Sequence, residues 1–500
     1  MRILLVNPPH EAIGSRLAGE HLPPLGLLCV GGGLIDAGHE VSLLDADHGN
    51  MGVAQVAESI AARGADVVML GHSGSTSAQP VINEITRRVR QARPGGRIVV
   101  GGVFPTFHWE SVLRQNPQID YIVCGEGERV APELVGAIER GLPVDGVRGV
   151  AYMRGGVPAR TPPAEVIGRL DDCRVAWELT AGYRYTYWGG RRAVVVQFSR
   201  GCPHQCTYCG QRLFWREYRH RDPQAFADEI EMLHRTRGVE VFNFADENPA
   251  ADAAAWRAFL EALAAKKLPL VLVGSIRADS IVRDAGILHL YRRAGFERFL
   301  LGIENYDEAT LRRIKKAGAT SSDRMAIRLL REHGILSMAT YVVGFREERV
   351  RDFWHSLKQL LSYDPDQVQL VYTTPHRWTP YFEEVRDREV VLSDQRKWDY
   401  KHQVIAMKGL HPALVILCVK LIELVMQARP KAIGRLLFRR DARLRRAMRW
   451  YTNIGRRVWF WELWQFFFVT KRAAGKITLS EFWDGPHHLV KKERNMTHAD

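Results

Sequence analysis

The chain has 500 residues, a hydrophobic fraction of 46%, a charged fraction of 25% and a formal net charge of +14. This length predicts two or three domains, and this composition excludes an intrinsically disordered chain. Seven cysteines, an odd number, argue against a secreted disulfide scaffold, and no apolar run is long enough to predict a membrane-spanning helix. We therefore expect a cytoplasmic protein.

Residues 1–140 alternate short apolar strand patterns with helical patterns. The strand patterns run into glycine and polar residues at GHSGSTS (71–77), GGVFPT (101–106) and GEGE (125–128). This alternation predicts a doubly wound, Rossmann-like parallel sheet with helices on both faces. Ligands of such sheets bind beyond the carboxyl ends of the strands, where small residues let a bulky planar ligand approach the backbone.

Residues 141–190 are rich in Pro and Gly and predict a linker with some structure of its own. Residues 191–385 contain a second series of about six strand patterns, spaced by roughly thirty residues and separated by helical patterns. Six strands are fewer than the eight of a closed barrel, so this part predicts an incomplete, TIM-like (β/α)6 barrel. Polar residues follow the strand ends, where parallel barrels collect their chemistry; these residues are Asp246, Glu247, Arg277 and Glu304.

The segment SRGCPHQCTYCGQ (199–211) places Cys202, Cys206 and Cys209 in a C-x3-C-x2-C pattern on one loop. Three thiolates can bind three irons of a [4Fe–4S] cluster and leave the fourth iron open to another ligand. Zinc is the alternative, but a structural zinc site needs four protein ligands, and the sequence has no second C-x2-C pair. His204 lies between two of the cysteines, where coordination of the same ion would be strained. We favour the cluster.

The cysteine pattern, with Tyr208 before its last cysteine, resembles that of radical S-adenosylmethionine (SAM) enzymes. The resemblance implies that the open iron binds the amino and carboxylate groups of SAM, and that cleavage of SAM yields a 5′-deoxyadenosyl radical that abstracts hydrogen. It also implies the partial barrel as the fold. The implied contacts to SAM are Tyr208, Asp246, Glu247, Arg277 and Glu304.

The N-terminal sheet resembles the cobalamin-binding domain that is fused to many radical SAM enzymes. The D-x-H-x-x-G motif of other cobalamin proteins is absent, so no histidine is available by that route as a lower axial ligand to cobalt. The resemblance implies cobalamin as a third cofactor. Its predicted contacts are Ser73, Ser75, Gly101, Gly102, Gly125 and Glu126.

Segments 200–223, 242–249 and 372–384 resemble the oxygen-independent cyclases that close an additional ring on magnesium porphyrins in chlorophyll and bacteriochlorophyll synthesis. The resemblance implies a magnesium porphyrin substrate, a keto oxygen taken from water, and a reducing electron donor such as flavodoxin or ferredoxin. Two alternatives stay open. One is a cobalamin-dependent radical SAM methyltransferase acting on another substrate, and the other is a non-catalytic cobalamin or iron–sulfur sensor.

Side chains near these segments could contact a flat porphyrin that carries one carboxylate. For each of them we favour an ordinary packing or surface role over substrate contact. They are the aromatic residues Phe214, Trp215, Trp378, Tyr381 and Phe382, the arginines Arg216, Arg219, Arg221 and Arg377, and the histidines His204, His220 and His376.

Residues 386–500 predict a mainly helical C-terminal region that is both basic and aromatic. Residues 431–460 carry ten Lys or Arg against one Asp, and WFWELWQFFF (459–468) overlaps their end. Three interpretations fit this pattern: a helix packed on the main body through its aromatic residues, peripheral contact with a membrane surface, or contact with a large anionic aromatic ligand. We find no nucleic-acid-binding motif and expect no nucleic acid partner.

Overall fold

The computed structural model describes residues 1–9, 20–72, 76–316, 318–345, 348–470 and 477–485. Two α/β units follow each other along the chain, and helices make up most of the C-terminal region. The predicted fold class is therefore confirmed. Two of the predicted cobalamin contacts, Ser73 and Ser75, lie outside the described residues.

The first unit is built on a seven-stranded sheet with the order β2-β1-β3-β4-β5-β6-β7. The first five strands pair in parallel, whereas β6 and β7 are antiparallel and lie within the segment predicted as a linker. Residues 3–6 of the interior strand β1 are fully buried because helices cover both faces of the sheet. The strands are β1 (Arg2–Asn7), β2 (Glu40–Asp45), β3 (Val67–His72), β4 (Arg97–Gly102), β5 (Tyr121–Val123), β6 (Val150–Arg154) and β7 (Val157–Arg160), and the helices are α1 (Leu25–Asp36), α2 (Val53–Arg63), α3 (Gln79–Ala92), α4 (Val103–Gln115) and α5 (Gly127–Glu139).

The second unit is an open barrel whose sheet has the order β16-β15-β14-β13-β12-β9-β8. Its six parallel strands match the predicted (β/α)6 barrel, and the short β8 adds to one edge in antiparallel orientation. The strands of this sheet are β8 (Thr186–Tyr187), β9 (Arg191–Val196), β12 (Val241–Phe244), β13 (Val271–Ile276), β14 (Phe296–Glu304), β15 (Leu336–Val343) and β16 (Gln367–Tyr372), and a separate antiparallel pair comprises β10 (Ser199–Arg200) and β11 (Arg219–His220). The helices are α6 (Pro223–Arg237), α7 (Ala253–Ala265), α8 (Ala278–Arg283), α9 (Leu288–Ala294), α10 (Glu308–Arg313), α11 (Thr320–Glu332) and α12 (Val350–Tyr363).

The C-terminal helices pack on the barrel through buried ion pairs. Arg429 Nε lies 2.8 Å from Asp364 Oδ1, and Arg435 Nη1 lies 2.8 Å from Asp364 Oδ2. Among the helices that the structure describes, we find no candidate for a membrane-spanning segment. The C-terminal helices are α13 (Pro380–Val385), α14 (Pro412–Ala428), α15 (Pro430–Phe438), α16 (Ala442–Trp464) and α17 (Leu479–Asp484). Helix α16 continues as a π-helical turn over Gln465–Val469.

The two units share one hydrophobic core. Leu28 of α1 and Val194 of β9 belong to the same contiguous cluster of buried side chains. Polar contacts also join residues that follow strand ends in both sheets: Glu126, after β5, contacts Arg200, and Thr76, after β3, contacts His376, after β16. The carboxyl-terminal edges of the two sheets, where ligands of such sheets bind, are therefore in contact with each other.

Candidate active site

The three cysteines lie on a loop that is closed by the β10–β11 pair. Ser199 pairs with His220, and Arg200 pairs with Arg219, so the loop begins and ends at the same place. Gly201 has a φ of +84°, and a Cβ atom there would lie 2.4 Å from the carbonyl oxygen of Glu217. Only glycine fits where the two ends of the loop touch.

The far side of the cysteine loop is held by backbone groups. The Thr207 amide donates to the carbonyl of Ile314 at 2.9 Å, and the Thr207 carbonyl accepts from the amide of Tyr381 at 3.1 Å. The Trp378 indole donates to the carbonyl of Gly210 at 2.7 Å. Segment 372–384, one of those carrying the resemblance to cyclases, thus helps to hold the loop in place.

The thiols of Cys202, Cys206 and Cys209 are free and partly buried. Burial raises the pKa of Cys202 and Cys206 and raises that of Cys209 to about 11. The charges of Lys316 and Arg277 act on the pKa of Cys206 in the opposite direction. Metal binding requires thiolates, and nearby cations stabilise them.

This donor set fits a [4Fe–4S] cluster. Each thiolate of a cubane binds a different iron, so the three sulfur atoms need not converge on one point. In the part of the chain that the structure describes, no group of three His, Cys, Asp or Glu side chains is placed to hold a single metal ion.

Asp246 holds the end of strand β9 against the cysteine loop. Its carboxylate accepts hydrogen bonds from the Ser199 amide at 2.6 Å, the Ser199 hydroxyl at 2.7 Å and the Phe198 amide at 3.1 Å. Burial raises its pKa to about 7. All of these contacts are internal to the protein. The role of Asp246 that the structure shows is to fix the strand that leads into the loop, and its contact with SAM stays a prediction.

Glu247 differs from its neighbour because one of its oxygens has no partner. Oε1 accepts from the Trp215 indole at 2.8 Å, whereas Oε2 is buried without a hydrogen bond from any described residue. A buried, unsatisfied carboxylate oxygen is costly unless a ligand donates to it. Of the predicted SAM contacts, Glu247 therefore gives the clearest structural indication of a ligand.

Arg277, Glu304 and Tyr208 are brought together beside the cysteine loop. Arg277 forms a bidentate pair with Asp279, with Nη2 at 2.7 Å from Oδ2. Glu304 lies at a β-bulge between β14 and β15, has a φ of +68° and pairs with Lys316 at 3.1 Å. Burial and then the charge of Glu304 raise the pKa of Tyr208. Lys316, which sequence patterns did not reveal, supplies a second cation near the thiols.

The predicted cobalamin contacts Gly101, Gly102 and Gly125 lie at the carboxyl edge of the first sheet. The Thr106 hydroxyl donates to the Gly102 carbonyl at 2.7 Å and accepts from the Gly125 amide at 3.0 Å, so it connects the two glycine turns. Gly102 has a φ of +110°, and a Cβ atom there would lie 2.4 Å from the carbonyl of His72. Thr106 is a residue that the sequence analysis missed.

Glu126, whose contact with cobalamin stays a prediction, belongs to a buried group of charges that joins the two units. Its carboxylate accepts from Arg200 Nη1 at 2.8 Å and from Arg219 Nη1 at 2.9 Å, and Glu128 accepts from Arg200 Nη2 at 2.5 Å. The four side chains are only 6–9% exposed. Burial alone would raise the pKa of Glu126, but the hydrogen bonds from Arg219 and Arg200 outweigh it and lower that pKa. We call these four residues the interdomain ion cluster.

Several side chains considered for substrate contact have internal partners. Arg221 pairs with Asp171 and Glu229. Tyr381 and Phe382 are buried, and the Tyr381 hydroxyl donates to the carbonyl of Gly344 at 2.9 Å. For these residues, and for Arg219, the structure provides the packing or pairing role that we favoured.

His376 is fully buried, and both of its ring nitrogens have partners. Nδ1 lies 3.2 Å from the Thr76 hydroxyl, and Nε2 lies 2.5 Å from the Tyr400 hydroxyl. Its ring stacks on Trp378 with centroids 4.7 Å apart, and burial lowers its pKa to about 3. His376 therefore joins the first sheet to the segment that follows the barrel.

Comparison with known proteins identifies both units. The B12 binding domain family matches residues 13–135, and the radical SAM superfamily matches residues 196–360. In fold, the chain resembles the radical SAM methyltransferase TsrM of Kitasatospora setae, with a TM-score of 0.64, 18% identity, and coverage of 77% of this chain and 74% of that one. It also resembles the cobalamin-dependent SAM radical enzyme OxsB, with a TM-score of 0.69, 17% identity, and coverage of 92% and 72%. The chain thus has the architecture of cobalamin-dependent radical SAM enzymes, and the predicted cofactors are confirmed at the level of the domains that bind them.

Two relatives define the family more closely. The chain is 54% identical over 486 residues to the anaerobic magnesium-protoporphyrin IX monomethyl ester cyclase of Synechocystis sp., covering 97% of each protein. It is 32% identical over 409 residues to the cyclase of the same name from Rubrivivax gelatinosus, covering 80% of this chain and 72% of that one. The chain belongs to the family of anaerobic magnesium-protoporphyrin IX monomethyl ester cyclases.

Replacing Glu126 by Gln should destabilise the protein strongly. The substitution keeps the size of the side chain but leaves two buried arginines short of negative charge, a change that typically costs about 3–5 kcal/mol. Urea unfolding of the full chain measures the effect. The matched control is Glu84→Gln, since Glu84 pairs with Arg87 and Arg88 on the surface of α3, where such pairs contribute about 1 kcal/mol or less. Equal shifts for both variants would contradict this role of the interdomain ion cluster.

Substitutions of Gly101 and Gly102 should separate effects on the stability of the protein from effects on cobalamin binding. Gly102→Ala forces a methyl group against the His72 carbonyl and should lower the stability of the protein by about 1–3 kcal/mol. At Gly101 the nearest atom would lie at an ordinary 3.6 Å, so Gly101→Ala should leave unfolding nearly unchanged. It should nevertheless weaken cobalamin binding in an absorption titration. Unchanged binding would show that the predicted contact at Gly101 is wrong.

Proposed function

We propose that the protein catalyses the oxygen-independent oxidative cyclisation of magnesium-protoporphyrin IX 13-monomethyl ester to divinyl protochlorophyllide. The observation that carries the proposal is 54% identity to a cyclase over 97% of both chains. In this reaction the propionate ester side chain is oxidised, its keto oxygen comes from water, and the side chain closes onto the macrocycle. The electrons removed from the side chain would be taken up by SAM, which is reduced as it is cleaved to 5′-deoxyadenosine and methionine. The C–H bonds of this side chain are too strong to be broken by acid–base abstraction. Hydrogen abstraction by a radical is suited to this task, and the chain has a radical SAM domain.

In this proposal Cys202, Cys206 and Cys209 would hold three irons of the cluster, and residues of the barrel mouth would hold SAM. When bound, the cluster, SAM and cobalamin supply radical and one-electron chemistry. The Glu247 Oε2 atom would accept a hydrogen bond from bound SAM, because it is buried and makes no hydrogen bond of standard geometry with a described residue. The Lys316–Glu304 and Arg277–Asp279 pairs keep fixed charges beside the thiols.

The electron donor and the cellular location are also part of the proposal. A small acidic reductant such as flavodoxin or ferredoxin would be attracted to a chain with a net charge of +14. We propose that the protein works in the cytoplasm and reaches its apolar substrate in contact with a membrane surface, through the C-terminal region.

The reaction is tested by anaerobic incubation of the reconstituted full-length protein with SAM, cobalamin, a reductant and the magnesium porphyrin ester. We expect a product with a new ring and a keto group, and we expect heavy-oxygen water to label that group. A product that has instead gained a methyl group, together with S-adenosylhomocysteine, would identify a methyltransferase. Absence of any SAM cleavage would favour a sensor.

Cys206→Ala should abolish SAM cleavage and leave cobalamin binding intact, because the thiol lies in the second unit and the predicted cobalamin contacts lie in the first. SAM cleavage is measured by the release of 5′-deoxyadenosine, and cobalamin binding is measured by absorption spectroscopy. Cys418→Ala, at a half-buried cysteine of α14 outside the loop, is the control and should retain both properties. If Cys206→Ala lost both, the assignment of separate sites for the two cofactors would fail.

A further inference from the structure

Exposed apolar side chains are concentrated in the C-terminal helices. Of the 21 large hydrophobic side chains that are exposed among the described residues, 13 lie between Leu414 and Val469. Phe438, Phe460 and Phe468 are 79%, 67% and 71% exposed. Such a concentration on a folded surface marks an interaction site.

One face of α16 carries both the aromatic and the basic part of this surface. Its exposed residues recur at spacings that place them on a single side of a helix with 100° per residue. The N-terminal half of the face is basic and the C-terminal half is aromatic, and no acidic residue lies on it. We call it the α16 face; its members are Arg446, Arg449, Asn453, Arg456, Arg457, Phe460, Trp461 and Trp464.

The arginines of the α16 face differ from those that hold the helices to the barrel. Arg429 and Arg435 are buried or half-buried and pair with Asp364. Within the described residues, Arg446, Arg456 and Arg457 are exposed and form no ion pair. Their charges are therefore available to an external anion.

A second apolar stripe lies on the neighbouring helix α14. Leu414, Leu417, Leu421 and Leu424 follow one another at spacings of three and four residues and are 41–57% exposed. Helices α14 and α16 are fixed to each other through Lys420, which pairs with Glu462 and whose carbonyl accepts from the Trp459 indole at 3.1 Å. Leu421 on α14 and Phe460 and Trp461 on α16, which adjoin the contact residues in sequence, are exposed.

We propose that the α16 face and the leucine stripe of α14 dock on the surface of an anionic lipid bilayer. Arginines beside Trp and Phe are suited to the interface, where the guanidinium groups meet lipid phosphates and the rings enter the boundary of the acyl chains. A second copy of the same face would bring no negative charge to the arginines. The proposal deepens the membrane contact proposed above and does not depend on the ring-closing reaction.

The test measures binding of the full-length protein to vesicles of phosphatidylcholine with and without phosphatidylglycerol. We expect binding only when phosphatidylglycerol is present, weakening as salt is added. Arg456→Gln combined with Arg457→Gln should weaken it by roughly tenfold or more. Trp461→Gln combined with Trp464→Gln should weaken it similarly, and brominated lipids should quench tryptophan fluorescence of the unmodified protein more than that of this variant.

Matched controls are Arg63→Gln on α2 and Trp354→Gln on α12, because both side chains are exposed but lie outside this surface. Both should bind like the unmodified protein. The substituted residues are exposed, so thermal unfolding should be unchanged in every variant. Equal binding by all variants, or no binding to anionic vesicles, would overturn the proposal. A concentration-dependent dimer abolished by the same substitutions would also overturn it in favour of a second copy.

An assay of ring closure on a detergent-dispersed substrate distinguishes failure of the membrane-docking proposal from failure of the proposed function. The Trp461/Trp464 double variant should retain that reaction while it loses vesicle binding. A protein that binds vesicles but closes no ring would count against the proposed function and leave the docking surface standing.

Discussion

Two arginines at the base of the cysteine loop, Arg200 and Arg219, share one buried carboxylate, that of Glu126 in the other unit. The position of the loop relative to the first sheet depends on this interaction, because the two arginines are paired neighbours in β10 and β11. Three thiols can hold an inorganic cluster in a defined place only if their loop is itself fixed. The backbone bonds of Thr207 and the indole of Trp378 complete that restraint from the opposite side.

Burying four charges is expensive, and well-packed apolar side chains often give equal or greater stability. The interdomain ion cluster is therefore better explained by geometry than by stability alone. Arg200 also lies over the ring of Trp215, at 4.9 Å from its centroid, and Trp215 donates to Glu247. A continuous set of contacts thus runs from the first sheet to the strand end where a cofactor is expected, and it keeps two ligand sites in a constant relation.

Short-range patterns predicted the fold and the cysteine loop, whereas long-range pairing decided the roles of individual side chains. The alternation of strands and helices, the C-x3-C-x2-C spacing and the polar strand ends all lie within short segments, and Arg277, Glu304 and Tyr208 do gather beside the thiols. The role of Glu126 was not visible, because its partners are 74 and 93 residues away along the chain. His376 joins Thr76 across 300 residues. No local pattern reports such contacts.

The proposed chemistry depends on three thiolates that hold a [4Fe–4S] cluster with one iron open to SAM. Iron and sulfide analysis, combined with electron paramagnetic resonance of protein purified without air, measures whether such a cluster is present. We expect one cluster per chain and a spectrum of the reduced cluster that changes when SAM is added. Zinc in place of iron, or a cluster spectrum that SAM leaves unchanged because four side chains already saturate the cluster, would show that no iron is open to SAM.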